Sequence, residues 1–226
     1  MPILALDTAL DTISVAILDD RGGLLAVRRS DDRRSGAEQL LPLVEAARAE
    51  AGLAYADLAS IGVTVGPGSF TGIRVGLAAA RGLALAAGIR LVGVTTLAAV
   101  AQAAVATIPG LTTVMAAIDA RRGELYCQRF GVEIGIIATL AGEVPVLLPI
   151  AAVLNKLELG DSVVGSGAGF VTGTHGPFDR ITSDATAVAR LMRAIDAGRF
   201  PTAPPRPLYL RAPDARLPPA TPEPPR

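Results

Sequence analysis

Several stretches of the chain hold residue types whose spacing could do chemistry. Gly66-Pro67-Gly68-Ser69-Phe70-Thr71-Gly72 joins an apolar run to a helix-forming one, and such a junction presents free amides that can hold an anion. It is not a P-loop, because no Gly-Lys-Ser/Thr follows and the lysine and Mg²⁺-binding hydroxyl of that motif are missing. Backbone sterics favour a plainer reading, in which the glycines permit a tight turn and close helix packing. Asp119-Ala120-Arg121-Arg122-Gly123-Glu124 is the densest charged cluster of the second half. Two arginines beside a strand end could take a phosphate, although charged turn residues more often face water. Gly165-Ser166-Gly167-Ala168-Gly169 could be a nucleotide loop, but it lacks the following helix and ribose-binding acid of a dinucleotide fingerprint. His175 has no recognisable partner nearby in sequence, and a loop histidine without one is a poor general base. Cys127 lies in an apolar run and reads as core.

Composition narrows the choices. The 226 residues balance 21 basic against 21 acidic side chains, so an electrostatic grip on nucleic acid is not the default. One His and one Cys exclude a disulfide, a Cys/His zinc site and an HExxH site within this chain. The N-terminus has no charged segment ahead of an apolar one, so a cytoplasmic location is expected. Leu91 to Ile118 is uncharged and long enough to span a bilayer. Its Ala, Thr and Gly content, Gln102 and the Pro109-Gly110 turn point instead to strand, helix, turn, strand.

These stretches must be held by elements that the pattern lays out in order. Ile3–Leu6, Ile13–Leu18 and Leu24–Arg28 read as an antiparallel meander. A capping box at Ser35-Gly36-Ala37-Glu38 opens a helix that stops at Gly52, with Pro42 expected to kink it or delay its start. Ile61–Val65, a helix capped by Ser69 or Thr71 and running to Ala87, Leu91–Val94 and a helix over 97–106 follow. The second half reads as strands over 113–118, 125–130, 133–140 and 144–148, then Val163-Val164, then a helix over 186–197. This is an α/β layout with mixed sheets. The expected division is 1–109, 110–200 and a proline-rich tail over 201–226, which holds 10 of the 17 prolines and reads as extended or disordered, with Leu208-Tyr209-Leu210 still able to dock.

Two consecutive helices carry broad apolar or small faces. The first has Leu40, Leu43, Val44 and Ala47, and the second Gly72, Gly76, Ala80 and Ala84, a small-residue row that admits close helix approach. Arg74 and Arg81 share a neighbouring face. The two stripes serve either intramolecular packing or a protein–protein interface.

Leu4-Ala5-Leu6-Asp7-Thr8, Leu40-Leu41-Pro42-Leu43, the block from Gly66 to Gly76, Gly93-Val94-Thr95-Thr96-Leu97, Asp119 to Tyr126 and Tyr209-Leu210-Arg211 together resemble the bacterial TsaB (YeaZ) family. The resemblance implies an actin-like (ASKHA, ribonuclease H-like) two-lobe α/β fold with mixed sheets flanked by helices. It also implies a non-catalytic dimerisation role in forming N6-threonylcarbamoyladenosine at position 37 of tRNAs that read codons beginning with A. Family members pair with the transferase TsaD through N-terminal helices and the pair recruits the ATPase TsaE, so ATP is used by the assembled complex and tRNA is met through it. No membrane is implied, and a homodimer through the same helices is a further expectation. TsaD holds a metal through an H-x-x-x-H pair, whereas the segment after Leu97 here reads Ala98-Ala99-Val100-Ala101-Gln102. No catalytic, cofactor or metal residue is therefore expected; the eight residues Leu40, Leu43, Val44, Ala47, Gly72, Gly76, Ala80 and Ala84 are expected to bind the partner. The turn at Asp7-Thr8 resembles the first phosphate-contacting turn of actin-like ATPases, but Ala9-Leu10 departs from the family's more usual Ser after Thr8. The alternatives are a hydrolase or peptidase working through His175, or a nucleotide-binding actin-like module acting alone.

Overall fold

The computed structural model describes residues 1–31 and 36–211. Its first half is a five-stranded mixed sheet of β1 (Ile3–Asp7), β2 (Ile13–Leu18), β3 (Leu24–Ser30), β4 (Ser60–Thr64) and β5 (Arg90–Val94), in the order β3-β2-β1-β4-β5. The meander pairs antiparallel, while β4 lies parallel to β1 and β5 parallel to β4. Every residue of β1, β2 and β4 is buried, as expected of strands covered on both faces, which carry near-continuous apolar runs.

Alternation sorts these side chains. Leu4, Leu6, Val15, Ile17, Ile61 and Val63 face α1 (Gly36–Ala51) and α2 (Phe70–Ala87). Ile3, Ala5, Ala16 and Leu18 point the other way, toward α3 (Thr96–Thr107) and α6 (Ala185–Asp196). Gly62 allows α6 to settle on the sheet, since a Cβ there would stand 2.1 Å from the Met192 sulfur.

The second sheet runs β10-β6-β7-β8, with β9 on the other half of β7. Its strands are β6 (Thr113–Asp119), β7 (Glu124–Glu133), β8 (Ile136–Thr139), β9 (Val146–Pro149) and β10 (Asp161–Val164). One face packs on α3 and the other on α4 (Ile150–Leu154) and α5 (Ala168–Thr172). Both mixed sheets are thus flanked by helices, as the α/β reading of the sequence expects. The turn at 109–110 separates the two sheets, but α6, expected with the second, lies against β1 and β2 of the first.

Several local expectations meet a definite outcome. Leu91 to Ile118 is strand, helix, turn and strand. Ser69 caps α2, its hydroxyl accepting from the Gly72 amide at 3.2 Å, and Gly88 closes that helix in the left-handed conformation at φ 66°. The first helix runs through Pro42 without a delayed start, and the expected Ser35 cap lies outside the described residues. The Gly165–Gly169 loop does lead into a helix, the five-residue α5, which its few apolar residues left unread. The first eleven residues of the proline-rich tail are extended but not loose, because they pack along the molecule as set out below. The tail beyond Arg211 lies outside the described residues.

Candidate functional site

The glycine-rich block grips its own chain. It wraps the turn after β1, with the Ser69 amide donating to Ala9 O at 2.7 Å and the Thr8 hydroxyl donating to Gly72 O at 2.7 Å. A Cβ on Gly68 would stand 2.3 Å from Ala9 O, and one on Gly72 2.0 Å from Thr8 O. The Ser69 amide is spent on this contact and the Gly72 amide on the Ser69 hydroxyl. Asp7, the candidate nucleotide contact, is sealed inside, its Oδ1 accepting from the Ala9 amide at 3.0 Å and from the Thr64 hydroxyl at 2.7 Å. Burial pushes its carboxyl above the usual range, against the opposing pull of Ser183, Ala9 and Thr64.

A cleft of about 540 Å³ opens between the sheets, walled by residues 9–12, Ser69, the 118–121 turn, Ser166 and residues 179–182. Its wall carries Asp11, Asp119 and Asp179 as well as Arg121 and Arg180, so no surplus of positive charge awaits a phosphate chain. Arg121 and Arg122 both take left-handed backbone angles at the hairpin tip, φ 66° and 59°. That conformation is held by the Asp119 carboxylate accepting from the Arg121 amide at 2.7 Å, and by Arg211 donating to Ala120 O at 2.7 Å. Arg121 is exposed and pairs with Asp119 at 3.2 Å, the solvated-turn outcome.

His175 does have a partner, missed because it lies four residues on in a single 3-10 turn of helix, Pro177–Arg180, too short to show a pattern. Its Nδ1 meets Asp179 Oδ2 at 3.1 Å. Phe170 edges against the ring, and no hydroxyl or thiol among the described residues hydrogen-bonds to it. Cys127 is buried, and burial pushes its thiol up to about 11. A hydrolase working through His175 therefore lacks an activated nucleophile at that ring.

The expected partner-binding residues need correction. Leu40, Val44 and Ala47 of α1 and Gly76, Ala80 and Ala84 of α2 are buried inside the monomer, while Leu43 and Gly72 are half-buried. The small-residue row packs on the sheet and on Thr8; it brings α2 close to its own core and cannot present itself to another chain. The outward face of α2 is a different row, Arg74, Ala78, Arg81 and Leu85, with Gly82 and Ala86 beside it. Leu85 is 85% exposed and nothing lies within 4 Å of where a Gly82 Cβ would be. Leu41, Pro42, Ala46 and Ala49 are exposed on α1, and Leu43, Val75, Ala79 and Leu83 are partly buried against the core. The signal was in the sequence, since 74, 78, 81 and 85 follow helical spacing; periodicity alone does not say which of two small-residue rows faces in.

Residues 200–211 form a strap over this region. Phe200 meets Phe130 of the second sheet, Ala203 bonds Gly93 O at 3.0 Å, and the Leu208 amide bonds Val65 O at 2.8 Å. Tyr209 stacks on Phe70 at 5.5 Å, and Arg211 returns to Glu124 at 2.5 Å.

The family model described as "TsaD: tRNA N6-adenosine threonylcarbamoyltransferase" matches residues 30–151. YeaZ from Pseudomonas aeruginosa superposes with a TM-score of 0.78 at 30% identity, over 92% of this chain and 99% of that one. This chain belongs to the TsaB (YeaZ) family. The TsaB protein of Escherichia coli K12 is 41% identical over 130 residues, 58% of this chain and 55% of that protein. TsaB of Haemophilus influenzae is 37% identical over 126 residues, 56% of this chain and 52% of that one. The matched segment thus spans about half the length of these curated relatives. For a TsaB-family chain, the glycine block now has a local reason, the seating of α2 on the turn after β1, and the outward faces of α1 and α2 are left as the surface to explain.

Proposed function

We propose that this chain is the non-catalytic scaffold and dimerisation subunit of the system that makes N6-threonylcarbamoyladenosine at position 37 of tRNAs reading codons beginning with A. It pairs with TsaD through the outward faces of α1 and α2, and the pair recruits TsaE, with ATP used by the assembled complex and tRNA met through it. The reading rests on the family and on one observation, the exposed small and apolar residues Ala78, Gly82, Leu85 and Ala86 of α2 and Leu41 and Ala46 of α1, on two helices that pack on each other. Exposed apolar and small residues gathered on two packed helices match the composition of an interface centre. In the absence of TsaD the same faces serve a homodimer by isologous pairing. A cytoplasmic location and a division into lobes at 109–110 with a tail from 201 belong to the same reading.

The non-catalytic part rests on residue types. One histidine cannot supply an H-x-x-x-H pair, and that one bonds a carboxylate rather than a nucleophile. The test is co-purification of TsaD and TsaE with the wild-type chain and with Gly82→Trp, which places a bulky neutral group on open surface. Capture by the wild type and loss with Gly82→Trp supports the reading; undiminished capture contradicts it.

A further inference from the structure

The outward row of α2 is not simply apolar. Arg74 and Arg81 stand one on each side of Ala78, seven residues and two helical turns apart. Both are exposed, and neither pairs with a carboxylate among the described residues. Each is held in place all the same. The Arg74 guanidinium lies 3.7 Å from the centre of the Phe70 ring and 5.9 Å from that of Tyr209, and its Nε donates to the Tyr209 hydroxyl at 2.9 Å. Arg81 donates to Pro205 O at 2.7 Å. Neutral acceptors and aromatic faces fix the orientation of a guanidinium and leave its charge uncancelled.

We propose that the strap over 203–209 holds Arg74 and Arg81 as a fixed positive rim on the α2 docking face, and that the partner element seated there is a helix carrying carboxylates opposite them. The inference rests on the docking reading above and adds to it the chemistry of the partner's surface. Charge complementarity selects that occupant. Arg74 stands at one end of the row and Arg81 between Ala78 and Leu85, so the charges are set among the small and apolar side chains Ala78, Gly82 and Leu85, which suits a packed helix better than a sugar–phosphate chain, since interfaces combine apolar contact with arginine anchors. On a second copy of this chain two of the α1 acids are already paired, Glu45 with Arg48 at 2.6 Å and Glu50 with Arg28. Pre-orientation matters because an arginine already ordered in the free protein loses less side-chain freedom on binding.

The experiment measures the affinity of the full chain for purified TsaD by titration calorimetry at low and at raised salt. Arg74→Gln/Arg81→Gln is expected to weaken binding about tenfold at low salt and to flatten the salt dependence. Tyr209→Phe keeps the ring and removes the acceptor of the Arg74 Nε, and is expected to weaken binding two- to threefold. Circular dichroism melts of both variants show whether they fold as the wild type does; should the double variant not fold, the single Arg81→Gln carries the same test at its exposed site. Wild-type affinity and salt dependence in the folded arginine variant overturn the inference. If Gly82→Trp also binds as the wild type does, the docking reading fails with it; if Gly82→Trp alone weakens binding, only the positive rim fails. A third arm titrates unmodified tRNA onto the isolated chain. Loss of tRNA binding in the arginine variant, with TsaD affinity intact, assigns the rim to RNA and overturns the proposal.

Discussion

Gly76 lies over Thr8 so closely that a Cβ on it would stand 2.3 Å from the Thr8 Oγ1, the oxygen that donates to Gly72 O one turn earlier. Through this contact α2 sits on the turn after β1, and the spacing of four between Gly72 and Gly76 places two missing side chains over one threonine. The glycine block is a seat for a helix.

Substitution at the seat should separate backbone from side-chain contact. Gly72→Ala drives a methyl against a carbonyl that cannot rotate away, and is expected to destabilise by about 1–3 kcal/mol or more. Gly76→Ala meets a hydroxyl that can turn aside at the loss of its hydrogen bond, so a smaller cost is expected. Denaturant midpoints measured for both variants check the order.

The contrast marks what could be read in the residues. The meander, the two parallel strands and the helices from 36 to 107 follow from period-two and period-3.6 patterns with glycine stops, which are local signals. The assignment of Gly72, Gly76, Ala80 and Ala84 to a partner went wrong because small residues suit any close helix approach, and only the tertiary contact to Thr8 says which one. Of the strap only the docking of Leu208-Tyr209-Leu210 was legible, because proline-rich composition speaks against helix and strand and says nothing of docking through backbone groups. Its anchors, Gly93 and Gly66, leave room for carbonyls of Ala203 and Leu208 that lie more than a hundred residues away. Likewise α6 returns to the first sheet over a distance that no periodicity encodes.

Asp7 should make stability depend on pH in the direction opposite to a salt-bridged acid. Its folded carboxyl holds a proton more tightly than the unfolded one, which titrates near about 3.9. Between the unfolded and the raised folded value the native state binds more protons, so stability is full below the unfolded value and falls as pH rises through the folded one. Asp7→Asn keeps an oxygen for Ala9 and Thr64 and cannot ionise. Urea midpoints are expected to show the variant gaining on the wild type at pH 8 and losing that gain in acid.

Cys127 should be inert in the native state. Its thiol is buried and pushed up to about 11, so little thiolate exists at pH 8. A chromogenic disulfide reagent is expected to leave it unmodified in buffer and to titrate one thiol in denaturant; rapid native labelling would show that the second sheet opens.

Ala80→Glu is expected to unfold the chain rather than to probe a docking surface. The position is fully buried against the core of the first sheet, and an unpaired carboxylate there costs more than about 3 kcal/mol. A thermal melt reports the loss directly.

The central claim, that TsaD docks on the outward row of α2, is tested most directly by Leu85→Glu. The side chain is 85% exposed, so stability should stay within about 0.5 kcal/mol of the wild type. Affinity for TsaD, measured by calorimetry on the full chain, is predicted to fall by at least about thirtyfold, the 2 kcal/mol of an interface hot spot. Wild-type affinity in a folded Leu85→Glu chain would contradict the account.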